Sequence, residues 1–106
     1  MPYTYRPRGM PRRFMADAPD IVRESVVDII RIDPPAPLDF DVVLRENTPD
    51  EMVGLDFDRY GARGCHFFLK PHEVRAYRER NRRKRVAWRD LPAATQSAIV
   101  EYLTSE

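Results

Sequence analysis

The stretch HEVRAYRERNRRKRVAWR, residues 72–89, contains eight of the eighteen basic residues of this 106-residue chain. Several of its other side chains recur at spacings of three, four and seven residues, which a helix places on one side. We therefore predict a basic helix over 73–89, which either continues to its end or breaks into a connector at 86–88. The predicted core side comprises Val74, Tyr77, Asn81 and Trp88. The predicted outward side comprises Arg75, Arg78, Arg82, Arg83 and Arg85.

Charge is segregated along the chain, although the net charge is only +1. Residues 1–14 contain four arginines and no acid, whereas residues 15–60 contain twelve acids against four arginines. Residues 61–90 contain ten basic residues against three acids, and residues 91–106 add two acids. Such segregation bears on solubility and partners rather than on the fold. The basic helix is therefore either neutralised by the acidic block of its own molecule or turned toward a partner.

Length and composition indicate one small domain. A chain of this length accommodates a single core, and its 42% apolar and 33% charged residues predict a modest core under a highly charged surface. The single cysteine, Cys65, cannot form an internal disulfide, which favours a reducing compartment. No apolar run approaches the roughly 20 residues that span a bilayer, and the first residues lack a secretion signal. We expect a cytoplasmic protein without membrane contact.

Residues 1–19 are predicted to form an extended arm. They contain four prolines, each of which removes a backbone donor and favours extended geometry in the residue before it. Two interpretations remain open: a disordered tail, or an arm docked on its own domain, a sister subunit or a partner. Residues 20–106 are predicted to form a single α+β domain.

Three segments have the composition of strands. A helical turn over 19–24 leads into a β-branched run over 25–32, which ends at the prolines that follow. Residues 38–45 begin with alternating apolar and polar side chains, which predicts a half-buried strand. It would be antiparallel to the first strand if the proline-rich turn between them closes a hairpin. Residues 65–69 are apolar on both faces, which predicts a central strand.

A further helix start lies between the second and third of these segments. The sequence TPDE at 48–51 combines a capping box with proline at the first helical position, so we predict that a helix begins at Thr48. Its end is open between Gly54 and Gly61. The alternation of residues 55–58 favours a strand there instead.

The C-terminal residues have the clearest helical period. An acid at position 90 and a proline at position 92 favour a helix start, and the apolar residues after them repeat at helical spacing. The core side of this last helix comprises Leu91, Thr95, Ala98, Ile99, Tyr102 and Leu103. The predicted fold is a small α+β domain: a three- or four-stranded, mostly antiparallel sheet with two C-terminal helices packed on one face and an extended N-terminal arm.

The tetrapeptide LDFD occurs twice in the acidic block, at 38–41 and at 55–58. If these segments were neighbouring strands, their four aspartates, Asp39, Asp41, Asp56 and Asp58, would share a face and offer oxygen ligands to a divalent cation. Neither segment has the glycine-containing loop of a calcium site. A solvated or salt-bridged face is the favoured interpretation, and we predict no metal and no cofactor.

Few residues offer nucleophile or base chemistry close together. Cys65 and His66 are adjacent on a strand and would point to opposite faces, which is the wrong geometry for a thiolate–imidazole pair. His66, His72 and Glu73 are more typical of ordinary surface positions than of a metal site. We therefore predict that the protein is not an enzyme.

The charge layout favours a small binding protein that acts through a protein–protein interface. Its profile is that of an accessory, inhibitory or assembly protein of a phage or mobile element, and head-to-tail association of two copies is a variant. The alternative is a nucleic-acid-binding protein that uses the Arg-rich helix 73–89. The partner-binding candidates are Arg6, Arg8, Arg12, Arg13, Arg75, Arg78, Arg82, Arg83 and Arg85.

Overall fold

The computed structural model describes residues 9–33, 38–44 and 52–105. The strands are β1 (Val26–Arg31), β2 (Phe40–Leu44), β3 (Met52–Phe57) and β4 (Arg63–Leu69). The α-helices are α1 (Asp20–Ser25), α2 (Pro71–Arg80) and α3 (Ala93–Thr104). Single 3-10 turns occupy Arg12–Met15, Arg82–Lys84 and Trp88–Asp90. No helix in these ranges is long and apolar enough to cross a membrane.

The four strands form one antiparallel sheet in the order β1-β2-β3-β4. The predicted α+β class is therefore confirmed, as are the helical turn leading into β1 and the antiparallel pairing of β1 with β2. The two LDFD segments are neighbours, because Asp41 on β2 lies opposite Asp56 on β3. The predicted start of a helix at Thr48 lies outside the described residues, as do all of residues 48–51. From Met52 onward the chain forms strand β3 and not the predicted helix.

The two C-terminal helices lie on opposite faces of the sheet, whereas the sequence predicted both on one face. Side chains alternate along a strand, so Val42 and Val43 point to different layers. Val42 belongs to the larger cluster, with Ile99 of α3. Val43 belongs to a smaller cluster, with Val74 of α2.

The path of the chain explains this division. After α2 the chain reaches the outer edge of β1, where Val86 N donates to Ile29 O at 2.9 Å and Arg85 forms a bridge with Ile30. The chain then passes to the other face, where Trp88 is buried in the larger cluster. The segment also covers the unpaired backbone of β1, which would otherwise be an open sheet edge.

The basic helix is shorter than predicted. It ends at Arg80, and Asn81 leaves helical geometry at φ −105° and ψ 11° while its Nδ2 donates to Tyr77 O at 2.9 Å. The prediction that Trp88 shares a helix face with Val74 is therefore wrong. The seven residues from Asn81 to Trp88 do not form two helical turns, because they contain a 3-10 turn and a bridge to β1.

β4 is an edge strand in the described sheet rather than a central one. Its apolar residues have two separate roles. The ring of Phe67 lies over Gly54 of β3 and packs against Tyr77 of α2 at a centroid distance of 6.1 Å. Phe68, on the other face, is 60% exposed. In β4, therefore, apolar residues on both faces of the strand do not indicate that both faces are buried.

The described part of the arm is docked on its own domain. Met10, Met15 and Ala18 are buried in the larger cluster. The segment is not wholly extended, because Arg12–Met15 forms a 3-10 turn. The predicted core side of the last helix is confirmed at Thr95 and Ile99, which are buried.

We predict that Gly54→Ala destabilises the protein by about 1–3 kcal/mol, since the added methyl group would overlap the Phe67 ring. Urea unfolding of the single variant and of the pair Gly54→Ala with Phe67→Ala measures this. The cost of the alanine should largely vanish in the Phe67→Ala background. An equal cost in both backgrounds would show that ring overlap is not the cause.

Candidate partner-binding face

Asp28 is a fully buried acid in the middle of strand β1. It lies opposite Val43, at a bulge where the pairing of β1 with β2 shifts register. Its Oδ1 accepts a hydrogen bond from Ile29 N at 3.1 Å. A buried carboxylate is costly unless it is paired, so its partners are the first features of this face to identify.

Two arginines from the basic stretch neutralise Asp28. Arg78 Nε donates to Asp28 Oδ2 at 2.9 Å. Arg85 binds with two donors, Nε to Oδ1 at 2.8 Å and Nη2 to Oδ2 at 3.0 Å. The arginine side chains are only 13% and 12% exposed, so the three charges form a compact cluster with little screening by solvent.

The prediction that Arg78 and Arg85 point outward is therefore wrong. Helical periodicity predicts that apolar side chains face the core and that charged ones face the solvent. It does not include a buried carboxylate that needs cationic partners inside the domain. A signal for this contact was present in the sequence. Asp28 interrupts the apolar run VVDIIR at 26–31, and a lone acid in a buried strand requires a cationic partner.

Tyr77 makes a second polar contact between α2 and the sheet. Its hydroxyl donates to Asp41 Oδ2 at 2.5 Å. Burial, followed by the hydrogen bond to Asp41, raises the pKa of the Tyr77 hydroxyl above its ordinary range, so the hydroxyl remains a donor at all physiological pH values. Helix α2 is thus bound to the sheet through Asp28 and Asp41 as well as through Val74.

The other predicted arginines of this stretch are on the surface. Arg75, Arg82 and Arg83 are exposed. An open groove of about 580 Å³ separates the arm from the basic stretch. Its lining residues are Gly9, Pro11, Arg75, Arg78, Glu79, Arg82 and Arg85. Four arginines and one glutamate therefore line a single groove.

The arm contributes further charge beside this groove. Arg12 and Arg13 are exposed on the 3-10 turn, and Arg6 and Arg8 lie outside the described residues. The ring of Phe14 lies 5.0 Å from the guanidinium carbon of Arg13 and 5.7 Å from that of Arg85. This ring brings the arm and the basic stretch together through cation–π contacts.

Two of the four LDFD aspartates have structural roles. Asp39 accepts hydrogen bonds from Arg59 N and Nη2, both at 2.9 Å, and these bonds lower the pKa of its carboxyl. Asp58 Oδ1 accepts from Tyr60 N at 2.9 Å and from Ala62 N at 2.7 Å, which closes the turn between β3 and β4.

The described residues contain no group of three acid, histidine or cysteine side chains suited to a metal ion. The candidate base groups have separate partners. His66 Nε2 lies 3.1 Å from the Tyr102 hydroxyl of α3. Glu73 Oε1 accepts from Lys70 N at 3.4 Å, at the start of α2. His66 and Glu73 therefore do not meet in one cleft.

Comparison of the chain with protein-family models, curated proteins and solved structures gives no match. The geometry of the basic stretch, the arm and the buried acids is therefore the basis for a functional proposal.

We predict that Asp28→Asn destabilises the protein by about 3–5 kcal/mol, because it removes the charged acceptor that Arg78 and Arg85 both bind in the interior. Asp20→Asn is the matched control. It removes the carboxylate of the exposed pair with Arg23, and we expect a cost of about 1 kcal/mol or less. Urea unfolding of both variants measures the difference. Equal costs would contradict a dominant role for the buried cluster.

Proposed function

We propose that this protein is a non-enzymatic binding protein that recognises an acidic surface of another protein. The binding surface, termed here the basic face, comprises Arg12, Arg13, Arg75, Arg82 and Arg83 around the arginine-lined groove. The groove is the observation that carries the proposal, because residues of the arm and arginines of the basic stretch line it together. Arginine suits this role since it pairs with carboxylates through two parallel hydrogen bonds.

The internal use of Arg78 and Arg85 favours a protein partner over nucleic acid. Both guanidinium groups already bind Asp28, so fewer of the eight cations of residues 72–89 remain to neutralise phosphates. Glu79 also lines the groove, where its carboxylate would repel a phosphate backbone but would accept hydrogen bonds from a protein. A mixed set of donors and one acceptor is thus better matched to a protein surface.

We extend the proposal to an accessory, inhibitory or assembly role in the cytoplasm, such as a phage or mobile element requires. The supporting feature is the segregated charge of the sequence. Such a protein would act by covering an acidic site of its partner. Electrostatic attraction would then speed association and make it sensitive to salt.

The test is affinity capture from a lysate of the organism that encodes the chain, with and without nuclease. The variant Arg82→Glu with Arg83→Glu reverses two charges of the basic face. The matched control, Arg23→Glu with Arg89→Glu, reverses two exposed arginines elsewhere. We expect an acidic protein that survives nuclease, is retained by the control and is reduced about tenfold or more by the basic-face variant. Equal capture by both variants would contradict the proposal.

The nucleic-acid alternative has its own measurement. Fluorescence anisotropy with generic single-stranded and double-stranded DNA and RNA, at low and near-physiological salt, reports binding directly. We expect no detectable binding near physiological salt. Micromolar affinity that drops steeply with added salt, and that is lost in the basic-face variant, would replace our proposal with the alternative.

A further inference from the structure

Asp41 and Asp56 form a pair of carboxyl groups beneath helix α2. They are directly opposite each other on neighbouring antiparallel strands, which places their side chains on the same face. That face is covered by α2, whose Tyr77 hydroxyl contacts Asp41. Two adjacent acids at such a position are destabilising when both are charged.

The hydrogen bonds of this pair are unequal. Asp41 Oδ2 accepts a 2.5 Å bond from the Tyr77 hydroxyl. Asp56 Oδ1 is buried and has no hydrogen-bond partner among the described residues. A carboxylate oxygen in that position requires a donor, and a proton on Asp56 satisfies the requirement by converting one acid into a donor for the other.

Among the described residues, no ion pair joins either carboxyl group to a cation. From β1, Asp28 adds a third acid, and its charge is taken up by Arg78 and Arg85. From α2, the contact is the neutral Tyr77 hydroxyl, and the guanidinium carbon of Arg80 lies 5.9 Å from the centroid of the Tyr77 ring. From β4, the neighbour of Asp56 is Gly64, which has no side chain. Burial, followed by the hydrogen bond and charge of Asp41, raises the pKa of Asp56 to about 7.

We propose that Asp41 and Asp56 form a proton-binding site, in which one shared proton bridges the two carboxyl groups and keeps helix α2 seated on the sheet. Loss of the proton breaks the Asp56 O–H bond and transfers the proton to water. Two facing carboxylates then remain beneath α2. Because α2 also carries part of the basic face, the site couples solution pH to the surface that would meet a partner.

The sign of the pH dependence follows from the direction of the shift. The pKa of Asp56 is higher in the folded chain, at about 7, than its ordinary value of 3.8, so the folded chain binds more protons between these values. The contribution of Asp56 to stability is therefore fully present below about pH 4 and is lost as pH rises through about 7. Asp56→Asn, which resembles the protonated form, should remove this part of the pH dependence.

The experiment is an NMR titration of the aspartate carboxyl carbons of the intact chain from pH 4 to 9, with hydrogen-exchange protection of the α2 amides at pH 5.5 and 8.5. We expect one carboxyl midpoint near 7 that disappears in Asp56→Asn. We also expect the protection factors of Val74 and Tyr77 to fall about tenfold or more at the higher pH, and to change little in Asp56→Asn. Asp33→Asn, an exposed acid, is the matched control and should behave as the native chain does.

A second variant separates the shared proton from simple burial of Asp56. In Asp41→Asn the new amide can donate to Asp56, so the midpoint of Asp56 should move to lower pH. A native midpoint below about 5 would overturn the proton-binding site. A midpoint near 7 with unchanged α2 protection would overturn its link to the helix. Neither result depends on a partner, so both can be distinguished from failure of the proposed function.

Discussion

The buried carboxylate of Asp28 is the constraint on which the other features of this structure depend. It is fully enclosed in β1, and its charge is balanced by Arg78 and Arg85, which follow it by 50 and 57 residues. One guanidinium comes from α2 and the other from the segment that passes the edge of β1. The ion cluster therefore holds the basic stretch across the sheet, and this path delivers α3 to the opposite face.

The same cluster divides the positive charge of residues 72–89 into two parts. Arg78 and Arg85 are used internally, whereas Arg82 and Arg83 are exposed to solvent. Part of the positive charge of this stretch is thus neutralised by an acid of the same molecule. The exposed Arg82 lines the groove beside the docked arm. This arrangement separates arginines that bind Asp28 in the interior from arginines whose side chains are exposed to solvent.

Much of the fold could be predicted from local patterns, because those patterns are themselves physical requirements. β1, β2 and α3 follow from β-branched composition, alternation and helical period. Position within the sheet does not follow, since strand order depends on long-range pairing. For this reason the edge position of the apolar strand β4, where Phe68 is exposed, could not be predicted from its composition. The capping-box sequence at 48–51 gave a strong local signal, yet the described chain continues as β3.

The candidate site was only partly visible in the sequence. The arginines could be identified by type and density, whereas the assignment of each to the interior or the surface required the contact with Asp28. The sequence predicted that Asp41 and Asp56 would share a face if the two LDFD segments were neighbouring strands. Its consequence, a carboxyl pair covered by Tyr77, required the orientation of α2. Both cases depend on contacts between segments far apart in the chain.

The most direct test of this account is the exchange rate of the arginine Nε–H protons of the native chain, measured by nitrogen-15 NMR near neutral pH. The Nε–H groups of Arg78 and Arg85 bind Asp28 in the interior, so we predict that these two signals persist. The signals of the exposed Arg82 and Arg83 should be lost to rapid exchange with water. If all four exchange at the same rate, the buried cluster does not hold the basic stretch, and the account is contradicted.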